Sequence, residues 1–181
     1  ALAVEKNRLT NLDDIEGCEK LYYLSAYGNT ITDISGVRSC QALYYLDLGD
    51  NQIKDLTPLK DVGSQKMALL LQNNNFTDIS PLNGLREYFY LVLCGNVVQD
   101  LSALSAMENV SGADQVYLQW GDGVDFSPAE ASYHRHISFV DVPLDEQINL
   151  KNAYRAQKKE IVGYAIDPVF LSKEEADEEM A

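Results

Sequence analysis

Two histidines, His134 and His136, stand one residue apart with Arg135 between them. In a strand both face the same side and could share a metal ion, with Asp141 or Asp145 nearby. A protein metal site wants a clear third ligand, and none is spaced to supply it, so surface residues beside a strand start are the simpler reading. The run Asp122-Gly123-Val124-Asp125 has a calcium-like look but lacks the spaced ligands of a calcium loop. The fingerprints of a nucleophile elbow, a zincin helix, a phosphate loop and a dinucleotide site are all missing. The expectation is a non-enzymatic chain with no catalytic residue, no metal and no cofactor.

Composition narrows the partners. Across 181 residues, 46% are hydrophobic and 23% charged, the balance of a folded chain with one sizeable core. The formal charge of −14 argues against nucleic acid, whose affinity comes from Lys and Arg neutralising phosphates, and against an anionic membrane surface. No apolar run of 18 residues exists, so no membrane insertion is expected. The opening Ala1-Leu2-Ala3-Val4 carries no initiator Met and no signal-like run; removal of a targeting segment upstream is compatible with this, and localisation stays open.

Any working surface must come from the way the chain repeats. Five asparagines, Asn7, Asn29, Asn51, Asn74 and Asn96, are spaced by 22, 22, 23 and 22 residues. Five and three residues before them stand Leu2 and Val4, Leu24 and Ala26, Leu46 and Leu48, Leu69 and Leu71, Leu91 and Leu93. Two, five and eight residues after them, apolar side chains recur as in Ile31, Ile34 and Val37 or Phe76, Ile79 and Leu82. The L-x-L stretch predicts a short strand with one buried face. Such a strand cannot bury its apolar side alone, so stacked coils must do so together, with their strands in parallel. The asparagine amide can bond backbone groups of its own and the next turn, which would otherwise be buried and unpaired.

The stretches Asn51-Gln52-Ile53-Lys54-Asp55-Leu56-Thr57-Pro58-Leu59 and Asn74-Asn75-Phe76-Thr77-Asp78-Ile79-Ser80-Pro81-Leu82 resemble the 22-residue leucine-rich repeats of bacterial internalin-type surface proteins. They are also similar to intracellular repeats of the phosphatase-regulator type. The resemblance covers about residues 1–121 and implies an α/β leucine-rich-repeat solenoid, with a curved parallel sheet inside and short helical or 3-10 turns outside. Gly36, and Ser102 with Ala103, depart from the Ser/Thr-Pro pair, and Lys66 stands where a repeat leucine would open the fourth strand. The extra residue between Asn51 and Asn74 is expected within 60–65, bulging the convex side. In a degenerate sixth unit Gly121 replaces the asparagine, so 110–121 reads as the coil that ends the ladder.

The expected domains are thus a repeat domain over 1–121 and a capping or extension segment over 122–181. In the latter, Pro128-Ala129-Glu130-Ala131 with Ser127 as cap predicts a short helix, 136–142 a strand and 144–160 a helix. Residues 172–181, acidic, are expected to fray. Tyr154-Arg155, the basic helix and the acidic tail resemble the cap that follows intracellular repeats of the spliceosomal and phosphatase-regulator kind.

In that solenoid the side chains between the buried leucines line the concave surface. The candidate binding face is Tyr23, Tyr27, Tyr45, Asp47, Leu70, Gln72, Tyr90, Val92, Tyr117, Gln119 and Trp120. Tyr22, Tyr44, Met67 and Phe89 flank it at the strand entry, and aligned aromatics are what protein or carbohydrate interfaces use. Tyrosines stacking down a sheet merely to stabilise it are the plainer alternative. Cys18 and Cys40 fall at a convex core position on adjacent coils, where both are expected buried and a disulfide between them is geometrically possible. Cys94 falls at the far end of the face, with no histidine inside the repeats to activate it. The functional expectation is a protein-binding module of a secreted or cell-surface bacterial protein, with carbohydrate as a further partner class. Its rivals are an intracellular regulatory or scaffolding protein and a structural spacer.

Overall fold

The computed structural model describes all residues except 61, 63–66, 85–87, 107–114, 132–135, 163–166 and 181. The expected bulge within 60–65, Lys66 and His134 therefore lie largely or wholly outside the described residues. Strands β1 (Leu2–Ala3), β2 (Tyr23–Ser25), β3 (Tyr45–Asp47) and β4 (Met67–Leu70) are followed by β5 (Tyr88–Val92), β6 (Gln115–Gln119), β7 (His136–Val140) and β8 (Val169–Leu171). They form one eight-stranded sheet in chain order, every neighbour parallel. Each coil below takes its strand's number. The outer side returns through 3-10 turns at Asp13–Ile15, Ser35–Ser39, Thr57–Leu59 and Ser80–Gly84, then through helices α1 (Ser102–Ala106), α2 (Ser127–Ala131) and α3 (Leu144–Val162).

The L-x-L pattern works as the period requires. Leu24, Leu46, Leu69 and Leu91 are in register and fully buried, and the apolar residues after each asparagine fill the same continuous core. The asparagines tie neighbouring coils together. The Asn51 amide donates to the Leu48 carbonyl of its own coil at 3.0 Å and to the Ala26 carbonyl of the preceding one at 3.1 Å. Its oxygen accepts from the Ile31 N–H at 2.9 Å. Asn29, Asn74 and Asn96 repeat this arrangement, so the bonds run to the preceding coil as well as their own. Asn7 is exposed: its amide donates to the Val4 and Glu5 carbonyls of its own coil, and its N–H donates to the Asn29 oxygen at 3.1 Å. Four residues after each asparagine, Asp33, Asp55, Asp78 and Asp100 accept the N–H two residues on at 2.8 Å, opening the convex turn.

The ladder does not end at Gly121. β6 pairs β7 over five positions and β7 pairs β8 over three. Asp125 accepts the Ser127 N–H at 2.9 Å, the same turn as in the earlier coils, while Phe126 and Ala129 fill the buried positions. This assigns Asp125 to a repeat turn. The core closes on an aromatic chain: Trp120 stacks on Phe126 (5.1 Å), which meets Phe139 edge-on (5.4 Å), which meets Tyr154 of α3 (6.3 Å). The strand expected over 136–142 and the helix over 144–160 are β7 and α3.

Two expectations are corrected. Residues 173–180 do not fray but form helix α4 (Lys173–Met180), which lies across the concave face, with Ala176 buried among Ala68, Leu70, Val92, Cys94, Tyr117 and Val140. Its lack of an apolar stripe hid this, because a single small side chain makes the contact. Cys18, expected to be buried, is exposed on the outer side of the first coil, whereas Cys40 is buried one coil further on; neither forms a disulfide.

Candidate functional site

The concave face divides into two stretches. On coils 2 and 3, Tyr23 and Tyr45 stack at 4.5 Å and are half-buried, as is Tyr27. Ser25 and Asp47 lie buried between them. Tyr22 and Tyr44 stack at 5.8 Å along the strand entry and are exposed, as is Phe89, while Met67 is buried. On coils 4 to 6 the expected face residues Leu70, Val92 and Tyr117 are buried under α4. Tyr90 stands half-buried beside Tyr117, their rings 5.4 Å apart. The Tyr117 hydroxyl donates to Glu179 of α4 at 2.9 Å, and the Lys173 ammonium donates to Asn73 at 3.4 Å. Gln119 is half-buried and donates to Asp141 at 3.2 Å. Trp120 turns to the core against Phe126 instead of toward the face. Burial under α4 pushes the Cys94 thiol up to about 11, which leaves it mostly protonated and slow to react at neutral pH.

Residues outside the expected face complete its surface. The chain turns out of each of the first five strands through a left-handed residue just before the asparagine: Lys6, Gly28, Asp50, Asn73 and Gly95. That conformation suits glycine and, among side chains, short polar ones such as Asp and Asn. It aligns Lys6, Asp50 and Asn73 along the rim of a hollow of about 570 Å³. Glu5, Tyr27, Asp47 and Gln72 supply its walls, and Asp177 of α4 closes one side. Sequence reasoning named Tyr27, Asp47 and Gln72 but missed the rim, whose signal is the position before each repeat asparagine.

Hydrogen bonds organise this hollow. Asn73 donates to Asp50 at 2.7 Å, the Tyr27 hydroxyl donates to Asp50, and Asp47 accepts the Gly49 N–H at 3.0 Å. The bond to Asp50 pushes the Tyr27 phenol up to about 12, and burial pushes the Asp47 carboxyl up to about 6. Gln72 packs over Gly49, where an added Cβ would fall 2.5 Å from its side-chain nitrogen. The Gln72 oxygen is buried and accepts no hydrogen bond among the described residues. Leaving such a group unpaired costs about 1–3 kcal/mol. His136 is exposed at the start of β7, and no cluster of three potential metal ligands occurs among the described residues.

Stacked parallel strands inside, short turns outside and an asparagine ladder between them make up a leucine-rich-repeat solenoid fold. The family described as leucine-rich repeats (two copies) matches residues 23–61. Among solved structures, an internalin (inlF) from Listeria monocytogenes aligns over 92% of this chain and 52% of its own, at 19% identity and a TM-score of 0.47. An internalin C2 (inlC2) of the same species aligns over 74% of this chain and 69% of its own, at 25% identity and a TM-score of 0.40. This chain thus spans about half the length of the first of these. No curated protein matches.

Proposed function

We propose that this chain is a non-catalytic module that binds a protein partner through the tyrosine-lined part of its concave face. The carrying observation is the half-exposed stacked pair Tyr23–Tyr45, with the exposed stacked pair Tyr22–Tyr44 next to it at the strand entry. Solenoids of this kind use their inner surface for recognition, and aligned tyrosines give large contact area at small entropic cost. The resemblance of its Asp-Ile-Ser-Pro-Leu run to internalin-type repeats supports a secreted or cell-surface bacterial setting. Tyr23, Tyr27 and Tyr45 form the contact surface, while Leu70, Val92 and Tyr117 form the seat of α4.

A pull-down from host and bacterial extracts, with wild type beside a variant carrying Tyr23→Ala, Tyr45→Ala and Tyr90→Ala, tests this reading. A partner kept by wild type and lost by a variant with the same thermal unfolding profile is the expected result. A partner retained equally by both excludes the tyrosine face, and the absence of any specific partner favours a spacer.

A further inference from the structure

We propose that the hollow between the first four strand ends and α4 is a specificity pocket for an arginine side chain of the protein partner. This deepens the concave-face reading and rests on it, because the pocket adjoins the tyrosine column through Tyr27.

Charge gives the first argument. Glu5, Asp47, Asp50 and Asp177 face the space, and Lys6 is the cation that accompanies them on its rim. Lys6 does not neutralise them: its ammonium stands 5.9 Å above the Tyr27 ring, and it forms no salt bridge among the described residues. Asp177 pairs with Lys173 of its own helix at 3.7 Å, with both side chains about half exposed. Glu5, Asp47 and Asp50 are held by hydrogen bonds to Ser25, Gly49, Asn73 and Tyr27, with no cation among these partners.

Gln72 supplies an independent argument. It lines the hollow, only 6% of its surface is exposed, and its oxygen accepts no hydrogen bond among the described residues. Buried polar atoms in folded proteins nearly always have a partner. Here Gly49 provides the room for the amide to lie in this place, as a side chain there would collide with it. That oxygen is shut off from solvent as it stands, and a small turn of the side chain brings it to the hollow, where an amide oxygen beside carboxylates calls for a group rich in N–H donors. A guanidinium brings five in a fixed plane. The net charge of −14 draws a basic partner from a distance.

The pH dependence has a defined sign. Asp47 sits near pH 6 because burial, with Glu5 and Asp50 adding repulsion, opposes its ionisation; the Gly49 N–H pulls the other way. Around it stand Glu5 and Lys6 from the first turn, Tyr27 from the turn after β2, Tyr45 from β3, and Asp177 with Lys173 from α4. An arriving cation favours the ionised carboxylate, so arginine binding strengthens as pH rises from 5 to 7.

Titrating the isotope-labelled protein with the peptide acetyl-Gly-Arg-Gly-amide, read by NMR at Gly49 and the Gln72 side-chain amide, tests the pocket. The expected result is saturable shifts, at least about tenfold weaker with the citrulline peptide of the same shape, and tighter binding at pH 7 than at pH 5. Asp47→Asn should weaken binding about tenfold and flatten its pH dependence, and Gln72→Met should weaken it severalfold. Glu5→Gln, at an exposed position, probes the same cluster if Asp47→Asn unfolds. Equal binding of the citrulline peptide, or wild-type affinity in these variants, overturns the pocket. Failure here, with a partner still lost by the tyrosine variant, removes the pocket alone; peptide binding without any tyrosine-dependent partner removes the face reading alone.

Discussion

Coils 2 and 3 and coils 4 to 7 build their inner surface from one backbone pattern, yet the two stretches meet the outside differently. In the first, Tyr23 and Tyr45 stack above the sheet and stay half-exposed. In the second, the position aligned with Tyr45 is Ala68, and the neighbouring residues Leu70, Val92 and Cys94 are apolar or nearly so. This lower floor admits a helix, and α4 occupies it with the smallest side chain it has, Ala176. The small Ala68 and the apolar Leu70, Val92 and Cys94, with Tyr117 bonded to Glu179, mark the stretch that shelters a segment of its own chain.

The contrast requires that both stretches share one scaffold, and Asn51 tests that most severely. Asn51→Ala leaves the Ile31 N–H without its acceptor and takes one of two amide donors from each of the Ala26 and Leu48 carbonyls, which keep Asn29 and Asn74, for a loss of about 2–3 kcal/mol. Trp120, the single tryptophan, lies three coil boundaries away and should report the same lowered unfolding midpoint by fluorescence. An unchanged tryptophan transition would mean that the two stretches unfold separately.

Removing residues 173–181 should turn the second stretch into an open one. Alkylation of Cys94 by iodoacetamide is expected to accelerate on the order of a hundredfold, while Cys40 stays slow and exposed Cys18 reacts rapidly in both proteins. An unaltered Cys94 rate would break the comparison. The smallest change is Tyr117→Phe, which deletes the hydroxyl bonded to Glu179 and to Gln115. It should loosen α4 by about 1 kcal/mol and speed Cys94 labelling about fivefold. No change would mean that the seat of Ala176 suffices to hold the helix.

The solenoid was legible because Asn29, Asn51, Asn74 and Asn96 each do one job at one register, and a fixed job leaves a fixed letter. The last coils escaped because Gly121 and Val142 stand where that letter should be. A readable trace did exist: Asp125-Phe126-Ser127-Pro128 repeats Asp78-Ile79-Ser80-Pro81, and the aspartate makes the same turn. The alignment of Tyr23 with Tyr45 also followed from the period. The covering of Leu70, Val92 and Tyr117 did not, because α4 carries five acidic residues and announces no apolar stripe. The inward turn of Trp120 depends on Phe126, whose place in the repeat was itself hidden.

The left-handed residue before each asparagine has a consequence for how such a surface changes over time. Side chains branched at Cβ are penalised there by sterics alone, whatever the partner demands. The lip of the groove is therefore drawn from a short alphabet in which Asp and Asn recur, as Asp50 and Asn73 do here. Its small and polar character is a by-product of stereochemistry before any selection for recognition. A lineage lengthening this solenoid by duplication would lengthen that polar lip too, whatever it came to bind.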